Sequence, residues 1–411
     1  MTSRRVLYVT PYVPSPIRVR PYNLIKSLLE RGHHVQVLAL QTSPEEAADA
    51  ERLRALGAKV STVPLPLRQS LLNCARAPLT GWPLQAAFTC SPDMNARLRA
   101  ELAGAPYDVV HVEHLRGAQF GLACQGHPAV WDAVDCISLL LERTRAYGPS
   151  WKHRLAACLD LPRTRRYEAR AQSWYARVLV TSPEDCDALR NLARTPSSIS
   201  TSSRVVVLAN GVDLAYFAPQ EVDREADTLI FTGKMSYHAN IAAALDLAQQ
   251  VMPRVWRQRP GVRLRIVGKD PPAQIRRLAQ NPRIEVTGTV PDLRPHLARA
   301  SLAVCPLRYG VGIQNKILEA MALGTPVVAD PQVCRALAVR PGKHLLVGEG
   351  PDELARHILV LLERPDLARA LGRQGRRYVE EHHNWQAVAA RLENVYEEVI
   401  AQWPEGPNPK G

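Results

Sequence analysis

The chain has no apolar run of the ~18 residues that a membrane-spanning helix needs. Its amino terminus, Met-Thr-Ser-Arg-Arg, carries neither the long apolar region nor the small-residue cleavage site of a signal peptide. The eight cysteines, at positions 74, 90, 124, 136, 158, 186, 305 and 334, include no C-x-x-C pair and no metal-ligand spacing. They read as reduced, mostly buried thiols of a cytosolic protein. A G-x-S-x-G elbow and a G-x-x-x-x-G-K-[ST] phosphate loop are both missing, which argues against hydrolases and kinases. The D-x-D at Asp185-Cys-Asp187 opens a helical stretch, where acids are favoured by the helix dipole. No metal and no cofactor are expected.

Acidic residues are also short: 39 Asp and Glu stand against 52 Lys and Arg, a formal net charge of +13. Basic residues concentrate between Arg143 and Arg177 without aromatic residues interleaved as stacking platforms. A solvated basic helix face is the plain reading. Attraction to an anionic membrane surface or a lipid-linked pyrophosphate comes next, and no nucleic-acid partner is expected because no binding motif accompanies the charge.

What is present is alternation. Apolar strand-like runs at 5–10, 35–40, 59–63, 107–112, 129–131, 178–181 and 205–208 are separated by helical patterns. The series resumes at 228–232, 263–267, 283–287, 302–305 and 325–329, with helices expected at 239–258, 272–280, 291–300, 313–323 and 351–363. This is the pattern of parallel sheets wrapped by helices, and 411 residues accommodate two such units in tandem. Periodicity breaks near 215–227. The Ser/Thr-rich 195–203 segment reads as a loop and the Pro/Gly-rich 404–411 segment as a frayed tail. Prolines in 65–92 speak against a long helix there, and its mixture of leucines and arginines fits either ordinary packing or an exposed apolar-basic flap.

One stretch is the most informative: Gly310-Val-Gly-Ile-Gln-Asn-Lys-Ile-Leu-Glu-Ala-Met-Ala-Leu-Gly-Thr-Pro-Val-Val-Ala329. A glycine-flanked polar loop (Gly312, Ile313, Gln314, Asn315) enters a helix carrying Lys316 and, one turn on, Glu319. Helix amino termini favour phosphate, and an adjacent carboxylate accepts hydrogen bonds from sugar hydroxyls. At other strand ends, Gly233-Lys234 and Gly268-Lys269 let backbone approach a ligand and offer cations, and Gly288 to Val290 frames a base or ribose pocket. In the first half, His111, Glu113 and His114 share one strand's carboxyl end, where a catalytic role and a structural one are evenly balanced.

These residues resemble the retaining glycosyltransferases of family 4. Ala209-Asn-Gly-Val-Asp213 with Phe217 and Pro219, the turns at Gly233, Gly268 and Gly288, and Leu318-Glu-Ala-Met-Ala-Leu-Gly-Thr-Pro-Val-Val328 match that family's motifs. Within it the chain is similar to bacterial transferases of exopolysaccharide and cell-envelope assembly. The resemblance implies an α/β GT-B fold, with two Rossmann-like doubly wound domains facing across a cleft. Residues 1–215 would bind acceptor, 216–383 would bind donor, and 384–411 would hold a helix crossing back onto the first domain.

It further implies metal-independent transfer, with retention of configuration, from a UDP- or GDP-sugar to a glycan or lipid-linked acceptor. The enzyme would be cytoplasmic, with peripheral contact at the inner membrane face. Catalytic roles fall to Glu319, Lys316, Glu113 and His111. Nucleotide contacts fall to Gly233, Lys234, Gly268, Lys269, Val290 and the 312–315 loop, and acceptor contacts to Arg18, Arg20 and His114. The chain departs from the family where Val311 replaces the first glutamate of E-x7-E, and where Asn240 stands at a position that is commonly lysine. The alternatives are a sugar-nucleotide 2-epimerase or hydrolase, and a non-catalytic protein of the same fold.

Overall fold

The computed structural model describes residues 2–148, 150–193, 204–308 and 312–403. Gly310 and Val311, the 195–203 segment and the 404–411 tail lie outside the described residues. The chain divides into two compact units. Met1–Glu142, Ala157–Ala209 and Trp385–Gly411 form unit 1, and Arg143–Ala156 with Asn210–Asn384 forms unit 2. Arg143–Ala156 thus falls in unit 2 although it lies within the expected 1–215 domain, and the later junction, Ala209/Asn210, precedes the expected 215/216. The Val212 N–H donates to the His383 carbonyl at 2.7 Å, and Val212 bridges Asn384, which ties this segment to unit 2.

Among the described residues unit 1 has seven strands and unit 2 six; those of unit 1 are β1 (Arg5–Thr10), β2 (His34–Gln41), β3 (Lys59–Pro64), β4 (Val109–Glu113), β5 (Ala129–Val134), β6 (Arg177–Val180) and β7 (Val205–Val207). They form one parallel sheet in the order β3-β2-β1-β4-β5-β6-β7. Val6, Leu7, Val9, Val109, Val110 and Val112 have no exposed surface. Continuous apolar runs are what strands covered on both faces require. The Trp385–Gln402 helix belongs to this unit and packs Val388, Leu392, Tyr396 and Val399 into the core with Val6, Tyr8 and Leu24. Charge anchors it too: Arg31 donates to Glu393 at 2.7 Å and Arg4 to Glu397 at 2.8 Å.

Unit 2 has six: β8 (Glu225–Thr232), β9 (Arg263–Val267), β10 (Ile284–Gly288), β11 (Ala300–Cys305), β12 (Val327–Ala329) and β13 (Leu346–Val347). Their order is β10-β9-β8-β11-β12-β13, again all parallel. In each sheet the direction of winding reverses once, between β1 and β4 and between β8 and β11. Ligands of doubly wound sheets bind outside the carboxyl ends of strands at such a switch point.

Three elements differ from the sequence expectation. The 239–258 helix is a helical run with a π turn at Leu247–Val251. Pro253 lacks the N–H that an unbroken helix would direct at residue 249, and the π turn covers that gap. The 325–329 strand begins only at Val327, because the Thr325 hydroxyl donates to the Leu297 carbonyl at 2.8 Å and Pro326 has no N–H. Residues 65–92 do hold a fourteen-residue helix, Leu67–Thr80. Pro66 precedes its first turn, where proline is tolerated, and Pro78 lies in its last turn, where its missing N–H forfeits a bond to Cys74 but little helix follows.

Candidate functional site

In unit 2 the switch point is spanned by one side-chain bond. Lys316, at the start of the Asn315–Ala322 helix that follows β11, donates from Nζ to Asn240 Oδ1 at 2.8 Å. Asn240 lies in the His238–Asp246 helix that follows β8, and its Nδ2 donates to the Lys234 carbonyl at 2.9 Å. The asparagine thus holds the β8 exit loop with one end and the lysine with the other. A Cβ at Gly233 would come within 2.7 Å of Asn240 Nδ2, so the glycine is required for this closure.

The glycine exits interlock as well. Gly233 N–H donates to Val267, Gly268 N–H to Gly288, and Met235 N–H to Lys269. A Cβ at Gly268 would overlap the Gly233 carbonyl oxygen. The expected recurrence of glycine at successive strand ends is thus one laterally bonded rim. Lys234 and Lys269 are exposed on it, and Val290 is half-buried.

The Asn315–Ala322 helix buries Ile317, Leu318, Ala320, Met321 and Ala322, which turns Lys316 and Glu319 together to the other face at i,i+3 spacing. Gly312 has φ +65°, in the left-handed region, and Ile313 is 8% exposed. Asn315 Oδ1 accepts from Asn210 Nδ2 at 3.2 Å, so the Asn-Gly-Val-Asp segment supports the helix start. Behind the helix, Arg376 reaches the Ala322 carbonyl and Arg224 the Gly324 carbonyl, which satisfies the terminal acceptors.

Electrostatics poise the pair. Burial pulls the Lys316 ammonium below its ordinary value, against the pull of Cys305 and Glu319. Burial raises the Glu319 carboxyl to about 7, and the charge of Lys316 opposes the shift. Both groups thus carry a desolvation cost that an anionic, hydroxyl-bearing ligand would relieve.

In unit 1 the switch point is likewise spanned. Tyr12, just after β1, donates its hydroxyl to Glu113 Oε1 at 2.9 Å, at the end of β4. Glu113 is 1% exposed and its Oε2 has no hydrogen-bond partner among the described residues. Burial, then the charge of Asp132, raises its carboxyl to about 8. Arg18 stacks its guanidinium 4.0 Å from the Tyr12 ring centroid, bonds Glu46 at 2.8 Å and remains half-exposed.

Arg20, expected as an acceptor contact, and His111, expected as catalytic, lie behind this surface. Arg20 is 4% exposed, bonds Asp132 Oδ2 at 2.7 Å and donates to the Leu208 carbonyl. His111 has no exposure: Tyr8 stacks on it at 4.2 Å, the Tyr396 hydroxyl meets Nδ1 at 2.8 Å, and Nε2 is 3.5 Å from Asp132. Burial favours the neutral form of Asp132, yet Arg20 and His111 outweigh it and hold the carboxyl below its ordinary value.

Backbone strain marks the same edge. His114 has φ +65° and Val134 φ +68°, at the ends of adjacent strands β4 and β5. For a β-branched valine that region costs ~1–3 kcal/mol, and such residues gather at functional sites. The turn places Asp135 beside Thr181, whose hydroxyl donates to it at 3.0 Å. Burial and the neighbouring Asp185 raise Asp135 to about 7. The His114 ring accepts from the Arg116 N–H at 3.2 Å, and burial lowers its pKa to about 3. Asp132, Asp135, Tyr12 and Tyr396 were not among the sequence candidates. The first two carried a signal, since the carboxylates of Asp132-Ala-Val-Asp135 follow the apolar run at 129–131 and lie at the carboxyl end of β5.

Residues 17–211 match the model of a family described as "Glycosyl transferase 4-like domain", and residues 226–364 that of "Glycosyl transferases group 1". An MMP alpha-(1->4)-mannosyltransferase of Mycolicibacterium hassiacum is 28% identical over 409 residues, covering 92% of this chain and 94% of that protein. A D-inositol 3-phosphate glycosyltransferase of Kribbella flavida is 28% identical, covering 78% of each. Among solved structures, sucrose-phosphate synthase from Thermosynechococcus elongatus superposes with a TM-score of 0.69 at 18% identity, covering 97% of this chain and 100% of its own. Anabaena HepE in complex with UDP and glucose gives 0.68 at 14% identity, covering 96% and 99%. Taken with the two parallel-sheet units and their spanned switch points, these matches place the chain in glycosyltransferase family 4, as an enzyme of GT-B fold.

Proposed function

We propose that unit 2 holds a hexosyl nucleoside diphosphate at the Lys316–Glu319 face, and that the sugar passes with retained configuration to a glycan or lipid-linked acceptor met by unit 1. The observation that carries this is the Lys316–Asn240 bond, which fixes a cation at the switch point of the sheet, beside a helix amino terminus. There the ammonium and the helix N–H groups would stabilise the charge that develops on a departing diphosphate, a role that needs no metal.

Glu319 would accept hydrogen bonds from donor hydroxyls, and Gly233, Gly268 and Val290 would border the base. On the acceptor side, Tyr12, Arg18 and Asp135 form the surface, Glu113 lies buried against the Tyr12 hydroxyl, and Arg20 and His111 position Asp132 behind it. GDP-mannose is the first donor to try, since several relatives are named for mannosyl transfer from it. UDP-glucose follows.

The test is incubation with GDP-mannose or UDP-glucose and a panel of glycan and polyprenyl-diphosphate acceptors, with products read by proton NMR and chelator present or absent. Products of retained anomeric configuration, formed equally in chelator, are expected. Inverted products, chelator-sensitive transfer, or only epimer and free nucleotide would overturn the reading.

A further inference from the structure

One helix of unit 1 is amphipathic in the wrong sense for a globular core. The Leu67–Thr80 helix turns Ser70 and Ala77 inward, at 1% and 0% exposure, while Leu67, Leu71, Leu72 and Leu79 are 61%, 59%, 58% and 89% exposed. At roughly 100° per residue these leucines occupy about 140° of arc on the side away from the buried pair. Arg68 and Arg76 are exposed among them.

The apolar surface continues. Leu84, at the start of the Leu84–Phe88 helix, is 41% exposed, and its N–H donates to the inward carboxylate of Asp160 at 3.1 Å. Next to Asp160, Leu159 is 62% exposed, and Pro162 and Arg166 are exposed one and two turns further on. Exposed leucines gathered in this way are a surface awaiting a partner.

Charge selects the partner. The exposed charges of the helix are Arg68 and Arg76, Arg166 is exposed near Leu159, and the sequence from Arg52 to Pro92 holds no Asp or Glu. Such a face is attracted to anionic lipid, and its leucines can enter the boundary between headgroups and acyl chains as those of an interfacial helix do. No helix among the described residues is long and apolar enough to cross a membrane. We propose that the Leu67–Thr80 helix, with Leu84 and Leu159, is a docking face for an anionic phospholipid bilayer. It stands apart from the transfer reaction, because lipid binding is read without donor or acceptor.

The experiment is co-sedimentation of the full chain with vesicles of phosphatidylcholine alone and of phosphatidylcholine with phosphatidylglycerol, at low and high salt. Binding is expected only to the anionic vesicles and should fall as salt rises. Leu71→Ser with Leu79→Ser should weaken it at least ~10-fold, as should Arg68→Glu with Arg76→Glu. Unchanged thermal melting would confirm that each variant is folded, and the arginine pair carries the test alone if the leucine pair misfolds. Absent binding to anionic vesicles, or equal binding by the folded variants, would overturn the proposal. So would a concentration-dependent dimer that the leucine substitutions dissolve without any vesicle binding, since that would assign the face to a second copy.

Discussion

Lys316 Nζ and Asn240 Oδ1 are 2.8 Å apart, and through them the helix after β11 is joined to the loop after β8. The asparagine is 5% exposed, so its loss leaves the half-buried Lys316 ammonium and the Lys234 carbonyl short of one partner each. Leaving a buried polar group unsatisfied costs about 1–3 kcal/mol. Asn240→Ala should therefore weaken nucleoside-diphosphate affinity by roughly 5- to 100-fold, with the sheet intact by circular dichroism. Calorimetric titration checks it, and unaltered affinity would remove Asn240 from the account.

Glu319 is raised to about 7, so its ionised, hydrogen-bond-accepting form grows as pH passes through neutrality. Because kcat/KM follows groups of the free enzyme, it should rise between about pH 6 and 8. Glu319→Gln should abolish that limb, and Glu319→Ala should cut turnover at least ~10-fold, a loss of ~1.4 kcal/mol or more in transition-state stabilisation. An alanine variant of unchanged rate would refute the assignment.

Glu113 moves from 4.5 to about 8 on folding. A carboxyl raised in the native state contributes stability that is complete below its unfolded pKa and is lost as pH climbs through the native one. Unit 1 should therefore weaken between about pH 4.5 and 8, and Glu113→Gln should flatten that slope. Denaturant melts across this range give the comparison. A slope that the glutamine leaves in place would show that Glu113 ionises normally.

Arg20 answers Asp132 inside the fold, where neither has an alternative partner in solvent. Removing one member of a buried pair costs ~3–5 kcal/mol. Arg20→Ala should accordingly depress the melting temperature of unit 1 strongly, as seen by scanning calorimetry. A variant that melts normally but binds acceptor poorly would restore the contact role expected from sequence.

Sequence periodicity carried the architecture, because both sheets are parallel and buried strands such as Val109–Glu113 are nearly continuous apolar runs. Glycines at Gly233, Gly268 and Gly288 could be read for the same reason: backbone approaching backbone leaves a local trace. Contacts made through distance left none. Tyr396 meets His111 across 285 positions, and the spacing of its helix shows only that the residue is buried. The roles of Arg20 and His111 turned on burial, which a charged or ring side chain does not announce. The exposed leucines of 67–79 were ambiguous because Pro66 and Pro78 spoke against the helix that carries them, and a mixture of leucines and arginines does not say which side turns inward.

The central claim is that Lys316 faces a diphosphate. Titration of GDP, UDP, guanosine and uridine into the wild type and Lys316→Ala tests it most directly. The account predicts that at least one diphosphate binds the wild type and loses about 10-fold or more in the variant, while its nucleoside changes little. Equal losses for nucleoside and diphosphate, or diphosphate binding that the substitution leaves unchanged, would contradict it.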